Sequence, residues 1–271
     1  MTDVASGNAT DVALDSLLDA DEPSPVIEVK RASRSAFVIV VDHAGHAIPR
    51  RLHDLGLAAS QLTRHIAWDI GALAVARGVS DILDAPLIAQ RYSRLVIDCN
   101  RDPAVTSSIP IMSENTRIPA NENLSPAQAQ ARRSSIFEPY HERIRALLDE
   151  RLAAGLPTML VAQHSMTDCF KGSRRCMHAA VLYNRDARLA MQVRRALQCE
   201  PGLEVAQNEP YFLSDETDYT IPRHGEARGL LHVEIEIRQD LIADERGQAA
   251  WAQRIARSLQ QAQATLTGES E

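Results

Sequence analysis

Long apolar runs are missing from this 271-residue sequence. The longest, such as Ala36 to Val41, fall far short of the roughly 20 residues that a membrane-spanning helix requires. The N-terminus carries no basic flank ahead of an apolar segment of the kind an export signal uses. The expectation is a cytoplasmic protein that does not enter a membrane. Surplus positive charge is missing too: 29 Lys and Arg stand against 36 Asp and Glu, a formal net charge of -7. That balance favours solubility and offers no general basic surface to nucleic acid or lipid phosphates. Cysteine is sparse. Cys99, Cys169, Cys176 and Cys199 make no CxxC pair and no dense framework, which fits reduced thiols better than disulfides or a structural zinc knot. Cys176 with His178 is an isolated metal-binding hint.

What is present is an apolar content of 45%, enough to bury a full core at a length suited to one α/β domain. Residues 1–33 hold seven acidic groups, no Lys or Arg before Lys30, and Pro23 and Pro25. They read as an acidic, partly ordered tail, in which an amphipathic turn at Val12 to Leu18 can pack on the body or on a partner. The domain proper, 34–271, opens with Ala36-Phe-Val-Ile-Val-Val41, a run with the β-branched content of a buried parallel strand. Gly45 allows a tight turn after it. Leu62, Ile66, Ile70 and Leu73 recur at helical spacing and predict a helix from Ser60 to about Val79. Leu87 to Ala89 and Arg94 to Asp98 read as strands, and residues 104–124 as a long polar loop, functional or mobile. Ser125-Pro126 is a helix start, with helix to about Ala154. Strands at Thr158–Gln163, Ala179–Tyr183 and Leu231–Ile237 then alternate with helices at Ala187–Leu197 and Ala249–Leu266. The pattern predicts a single α/β domain whose sheet, mostly parallel or mixed, carries helices on both faces.

In such a sheet the working residues gather beyond the carboxyl ends of the strands. His43 and His164 end apolar strands and are candidate metal ligands. Asp69, four residues after His65 on the expected helix, is the preferred third ligand, which leaves a fourth position open for water. Glu236 lies in a strand otherwise built of Leu, Val and Ile, where a carboxylate needs a use; it is the candidate general base. Period two puts Glu234, Glu236 and Arg238 on one face, so a structural Glu/Arg ladder is the alternative. Arg101 has a planar fork suited to a substrate carboxylate, against the alternative of a salt bridge to Asp98 or Asp102.

Asp42-His-Ala-Gly-His-Ala-Ile-Pro49, His65-Ile-Ala-Trp-Asp-Ile-Gly-Ala72, Val96-Ile-Asp-Cys-Asn-Arg101, Gln163-His-Ser165, Asn208-Glu-Pro-Tyr211 and Glu234-Ile-Glu-Ile-Arg-Gln-Asp-Leu241 together resemble the N-formylglutamate amidohydrolase family. The resemblance covers about residues 36–265. It implies a fold similar to the zinc carboxypeptidases, a divalent metal, most naturally zinc, and a small-molecule carboxylate substrate. Asn100-Arg101 looks like the carboxypeptidase pair that binds that carboxylate, with Arg94 assisting, and Glu236-Ile-Arg238 like the segment bearing the general base. His43-x-x-His46 departs from the His-x-x-Glu metal pair of those enzymes, so the third ligand is either His46 or Asp69. The implied activity is hydrolysis of an N-formyl amino dicarboxylate. Action on another N-acyl amino acid or small peptide, or binding without turnover, are the alternatives.

Overall fold

A computed structural model of the protein describes residues 16–29 and 33–268. Its main sheet contains Val26–Val29 (β1), Phe37–Val41 (β2), Leu87–Gln90 (β3), Met159–Met166 (β4), Ala179–Leu182 (β5), Val205–Gln207 (β6) and Leu231–Arg238 (β7), in the spatial order β1-β3-β2-β4-β7-β5-β6. β3, β2, β4 and β7 run parallel, whereas β1 on one edge and the β5–β6 pair on the other run against them. The sheet is therefore mixed, with a parallel centre.

That centre is apolar on both faces because both are covered. Phe37, Ile39 and Val41 of β2 join a core with helices Ala72–Leu83 (α1), Arg188–Gln198 (α4) and Glu245–Thr267 (α5). Val38 and Val40 face the other way, toward Glu138–Ala153 (α3). Each such Val or Ile contributes about 1.5–3 kcal/mol by burial. A shorter helix, Pro126–Arg132 (α2), runs into α3 through a π-helical stretch at Arg133–Phe137. Ser125 closes its start with a capping box: its hydroxyl accepts from Gln128 N–H while the Gln128 side chain accepts from Ser125 N–H.

Three sequence expectations change. The helix expected over Ser60–Val79 is a single turn at Ala59–Leu62, then turns, then α1 from Ala72. Gly71 causes the break: its φ is +80°, and a Cβ there would lie 2.3 Å from the Ile242 carbonyl oxygen. The apolar residues before it pack into the core from turns, with a spacing that mimics a helix. Arg94 to Asp98 is likewise not a strand. Ser93 accepts from the Leu95 and Val96 N–H groups, and the Asp98 N–H donates to Ser108 O. A buried apolar turn and a buried strand share the same composition. The third change is β1, which lies within the expected tail and pairs antiparallel with β3. Of the proposed turn at Val12–Leu18, residues 12–15 lie outside the described residues; Leu17 is buried and its N–H donates to Ser135 Oγ.

The 104–124 loop is anchored rather than free. The buried Arg132 guanidinium donates to Val96 O, Asn121 Oδ1 and Ala120 O, and Asn121 Nδ2 reaches back to Leu95 O and Pro110 O. Burial draws Arg132 down to about 10, so it remains charged at neutral pH.

Candidate active site

Strand parity brings the chemistry to one place. On the α3 side of the sheet, β4 presents Leu160, Ala162 and then His164, while β7 presents Glu234 and Glu236. Glu236 stands directly across from His164 in the β4–β7 register. His43 follows β2 at the same end. Gly45 keeps this turn tight against the next one, since a Cβ there would meet the Arg91 carbonyl oxygen at 2.0 Å. Asp69 arrives from the turns that replace the expected helix, because its N–H donates to His43 O at 2.9 Å. Its pairing with His65 on a helical face does not exist; His65 lies 3.2 Å from Glu114 instead.

His43, Asp69 and His164 converge, all buried, each offering a ligand atom within 4.8 Å of the others. Each imidazole has one nitrogen held from behind by a carboxylate: His43 Nε2 lies 2.7 Å from Asp98 Oδ1, and His164 Nε2 lies 3.1 Å from Asp42 Oδ2. The other nitrogens face Asp69 Oδ2, His164 Nδ1 at 2.8 Å and His43 Nδ1 at 3.5 Å. His43 Nδ1 is buried with no hydrogen-bond partner among the described residues. Two backed imidazoles and a carboxylate converging on an orphaned nitrogen form a donor set that fits a divalent metal of the zinc type. His46 is not in this group; its ring packs on Trp68 at 4.6 Å between centroids.

Sequence reasoning did not assign the backing carboxylates. Asp42 also accepts from Tyr140 OH at 2.9 Å and Thr220 Oγ1 at 2.7 Å. Asp98 also accepts from Asn100 N–H and twice from Arg94. The signal for Asp42 was its place at the end of β2, and for Asp98 the buried turn that looked like a strand. Burial opposes the charge on Asp69, but His43 and His164 outweigh it and hold the carboxyl well below the usual range. Burial and Arg94 disfavour the charged His43, but Asp98 and Asp69 push it up. His164 is pushed well up, against burial, by Glu234, Asp42 and Asp69.

Glu236 differs from these carboxylates. Burial raises it from 4.5 to about 7, with His164 pulling down and Asp69 pushing up, and its Oε2 has no hydrogen-bond partner among the described residues. Glu234, one pleat further back, lies 3.8 Å from His164 Nε2 and is pushed well up by burial, with the charge of His164 pulling it down. No Glu/Arg ladder forms, because Arg238 donates to Asp240 and to the carbonyls of Arg175, Cys176 and Met177.

The expected substrate residues divide. Arg94 lies beside the histidine cluster, its Nη1 3.7 Å from Asp69 and two of its N–H groups on Asp98. Arg101 is partly exposed, 3.7 Å from Asp218, and bound neither to Asp98 nor to Asp102. Asn100 uses its amide otherwise: Nδ2 donates to Asp218, and Oδ1 accepts from the Tyr219 and Thr220 N–H groups. Cys176 is exposed and His178 Nδ1 accepts from Glu204 N–H, so that pair is no site.

None of the functionally curated proteins matches the chain. A gene product of Agrobacterium tumefaciens of known structure is 38% identical over 93% of this chain and 99% of its own, with a TM-score of 0.89. An N-formylglutamate amidohydrolase from Ralstonia eutropha shares the fold at a TM-score of 0.63, with 21% identity over 91% of this chain and 100% of its own. The sequence model of N-formylglutamate amidohydrolase matches residues 35–243, a span that runs from β2 through β7 and contains every residue of the buried cluster. With that match over most of its length, the chain belongs to the N-formylglutamate amidohydrolase family.

Proposed function

We propose that the protein is a zinc-dependent hydrolase of N-formyl amino dicarboxylates such as N-formylglutamate, releasing formate and the free amino acid. The observation that carries this reading is the convergence of His43, Asp69 and His164, with Asp98 and Asp42 behind the two imidazoles. These three residues hold the metal, which when bound supplies Lewis acidity to the formyl carbonyl and makes a neighbouring water more acidic. Glu236, across from His164, takes the proton of the attacking water and returns it to the amide nitrogen as the C–N bond breaks. A carboxyl near 7 suits both transfers. Asp98 and Asp42 orient the histidines. Arg101 takes one substrate carboxylate, with Arg94 assisting from beside Asp69; Asn100 fixes the segment that carries Asp218.

Formate release from N-formylglutamate, measured with zinc-loaded and chelator-stripped protein, tests the proposal. Release by the loaded form, loss on stripping and recovery with zinc are expected. Full activity after stripping, or none when loaded while N-acetylglutamate is cleaved, overturns the metal or the formyl assignment respectively.

A further inference from the structure

A dicarboxylic substrate has a second carboxylate, and the reading above, on which this inference rests, gives it no holder. Of the arginines around the crevice, Arg94 is bound to Asp98 and Arg101 lies near Asp218, whereas Arg175 has no carboxylate partner among the described residues. It is nevertheless held firmly. Its guanidinium lies over the rings of Phe170 at 5.5 Å and Tyr211 at 4.9 Å. Its Nη1 donates to Tyr211 OH at 2.9 Å and to Thr167 O at 3.2 Å, while its carbonyl accepts from Arg238 Nη1. Thr167 is three residues past His164, and Arg238 two past Glu236, so these bonds tie Arg175 to the working ends of β4 and β7.

The Tyr211 hydroxyl feels charges from both places. Burial and the charge of Glu236 push it up, and the charges of Arg175 and Arg94 pull it back. Ring faces hold a guanidinium by its planar surface and leave its edge N–H groups available. Nε and Nη2 of Arg175 have no acceptor among the described residues, which leaves a forked donor pair for an anion. We propose that Arg175, set between Phe170 and Tyr211, binds the side-chain carboxylate of the substrate and so restricts the enzyme to dicarboxylic N-acyl amino acids. Arg101 then takes the α-carboxylate.

The test compares kcat and KM of the zinc-loaded enzyme on N-formylglutamate and N-formylglutamine, whose side chain is nearly isosteric but neutral, together with calorimetric binding of glutarate. Wild type should favour N-formylglutamate, and Arg175→Met should lower that preference at least about 30-fold, mainly through KM, with weaker glutarate binding. Arg175→Lys should recover part of both, since its charge lacks the fork. Arg101→Met should instead impair both substrates, which share the α-carboxylate. A preference unchanged in Arg175→Met, with both substrates slowed alike, or glutarate bound equally by wild type and variant, overturns the proposal and makes Arg175 a support for Tyr211. Wild-type enzyme that releases no formate yet binds glutarate through Arg175 overturns the reaction and keeps the dicarboxylate site.

Discussion

Replacing Glu236 by Gln removes a proton acceptor and a buried charge at once, and the two effects point in opposite directions. Burial raises this carboxyl from 4.5 to about 7, so the folded chain binds a proton here more tightly than the unfolded chain. Below pH 4.5 both states are protonated and the group costs nothing. Between 4.5 and 7 the unfolded carboxyl ionises first, and stability falls as pH rises. At about 1.4 kcal/mol per pH unit the loss reaches about 3 kcal/mol by pH 7 and then levels off. Glutamine does not titrate, so metal-free Glu236→Gln should gain on wild type across this window, by roughly 5–10 °C in melting temperature. With zinc bound the gain should shrink, because the cation favours the carboxylate. Catalysis should move the other way, with kcat down at least about a hundredfold at unchanged metal content. Glu234→Gln should cost much less activity. Thermal melts of the stripped and loaded proteins from pH 4 to 8, with formate release at saturating substrate, measure both effects. A melting difference independent of pH, or a kcat near that of wild type, refutes the assignment of Glu236 as a desolvated general base.

Asp98→Asn leaves His43 Nε2 without its carboxylate and should weaken zinc binding about 10- to 100-fold, read by competition with a chromogenic chelator. The carboxylates around His43 and His164 raise both imidazoles, so protons compete with the metal: zinc affinity should fall as pH is lowered, and calorimetry in buffers of different ionisation enthalpy should detect proton release on binding. Arg101→Met should cost about 2–5 kcal/mol in kcat/KM on N-formylglutamate and little on a substrate whose α-carboxylate is esterified.

Much of this site was legible because strand parity is a rigid rule. Once Leu231–Ile237 reads as a strand, Glu234 and Glu236 must share a face, and apolar runs leading into His43 and His164 bring those imidazoles to the same end of the sheet. What escaped depended on contacts between segments distant in sequence. Asp69 lies in the buried cluster, but turns bring it there and not the helical face that its spacing from His65 suggests, which Gly71 and the Ile242 carbonyl exclude. Asp98 was hidden inside a turn whose apolar neighbours imitate a strand. Arg175 and Tyr211, 36 residues apart, meet only through the fold. β1 was lost in an acidic composition, because an edge strand needs only one covered face and its burial pattern is weak.

The location of the metal tests the account most directly. Crystals grown with zinc and measured at its absorption edge should show one anomalous peak among His43, Asp69 and His164, contacting the Nδ1 atom of each histidine, with Glu236 close by and His46 still on Trp68. A peak ligated by His46, or a zinc bound elsewhere with the three residues still paired to one another, contradicts it.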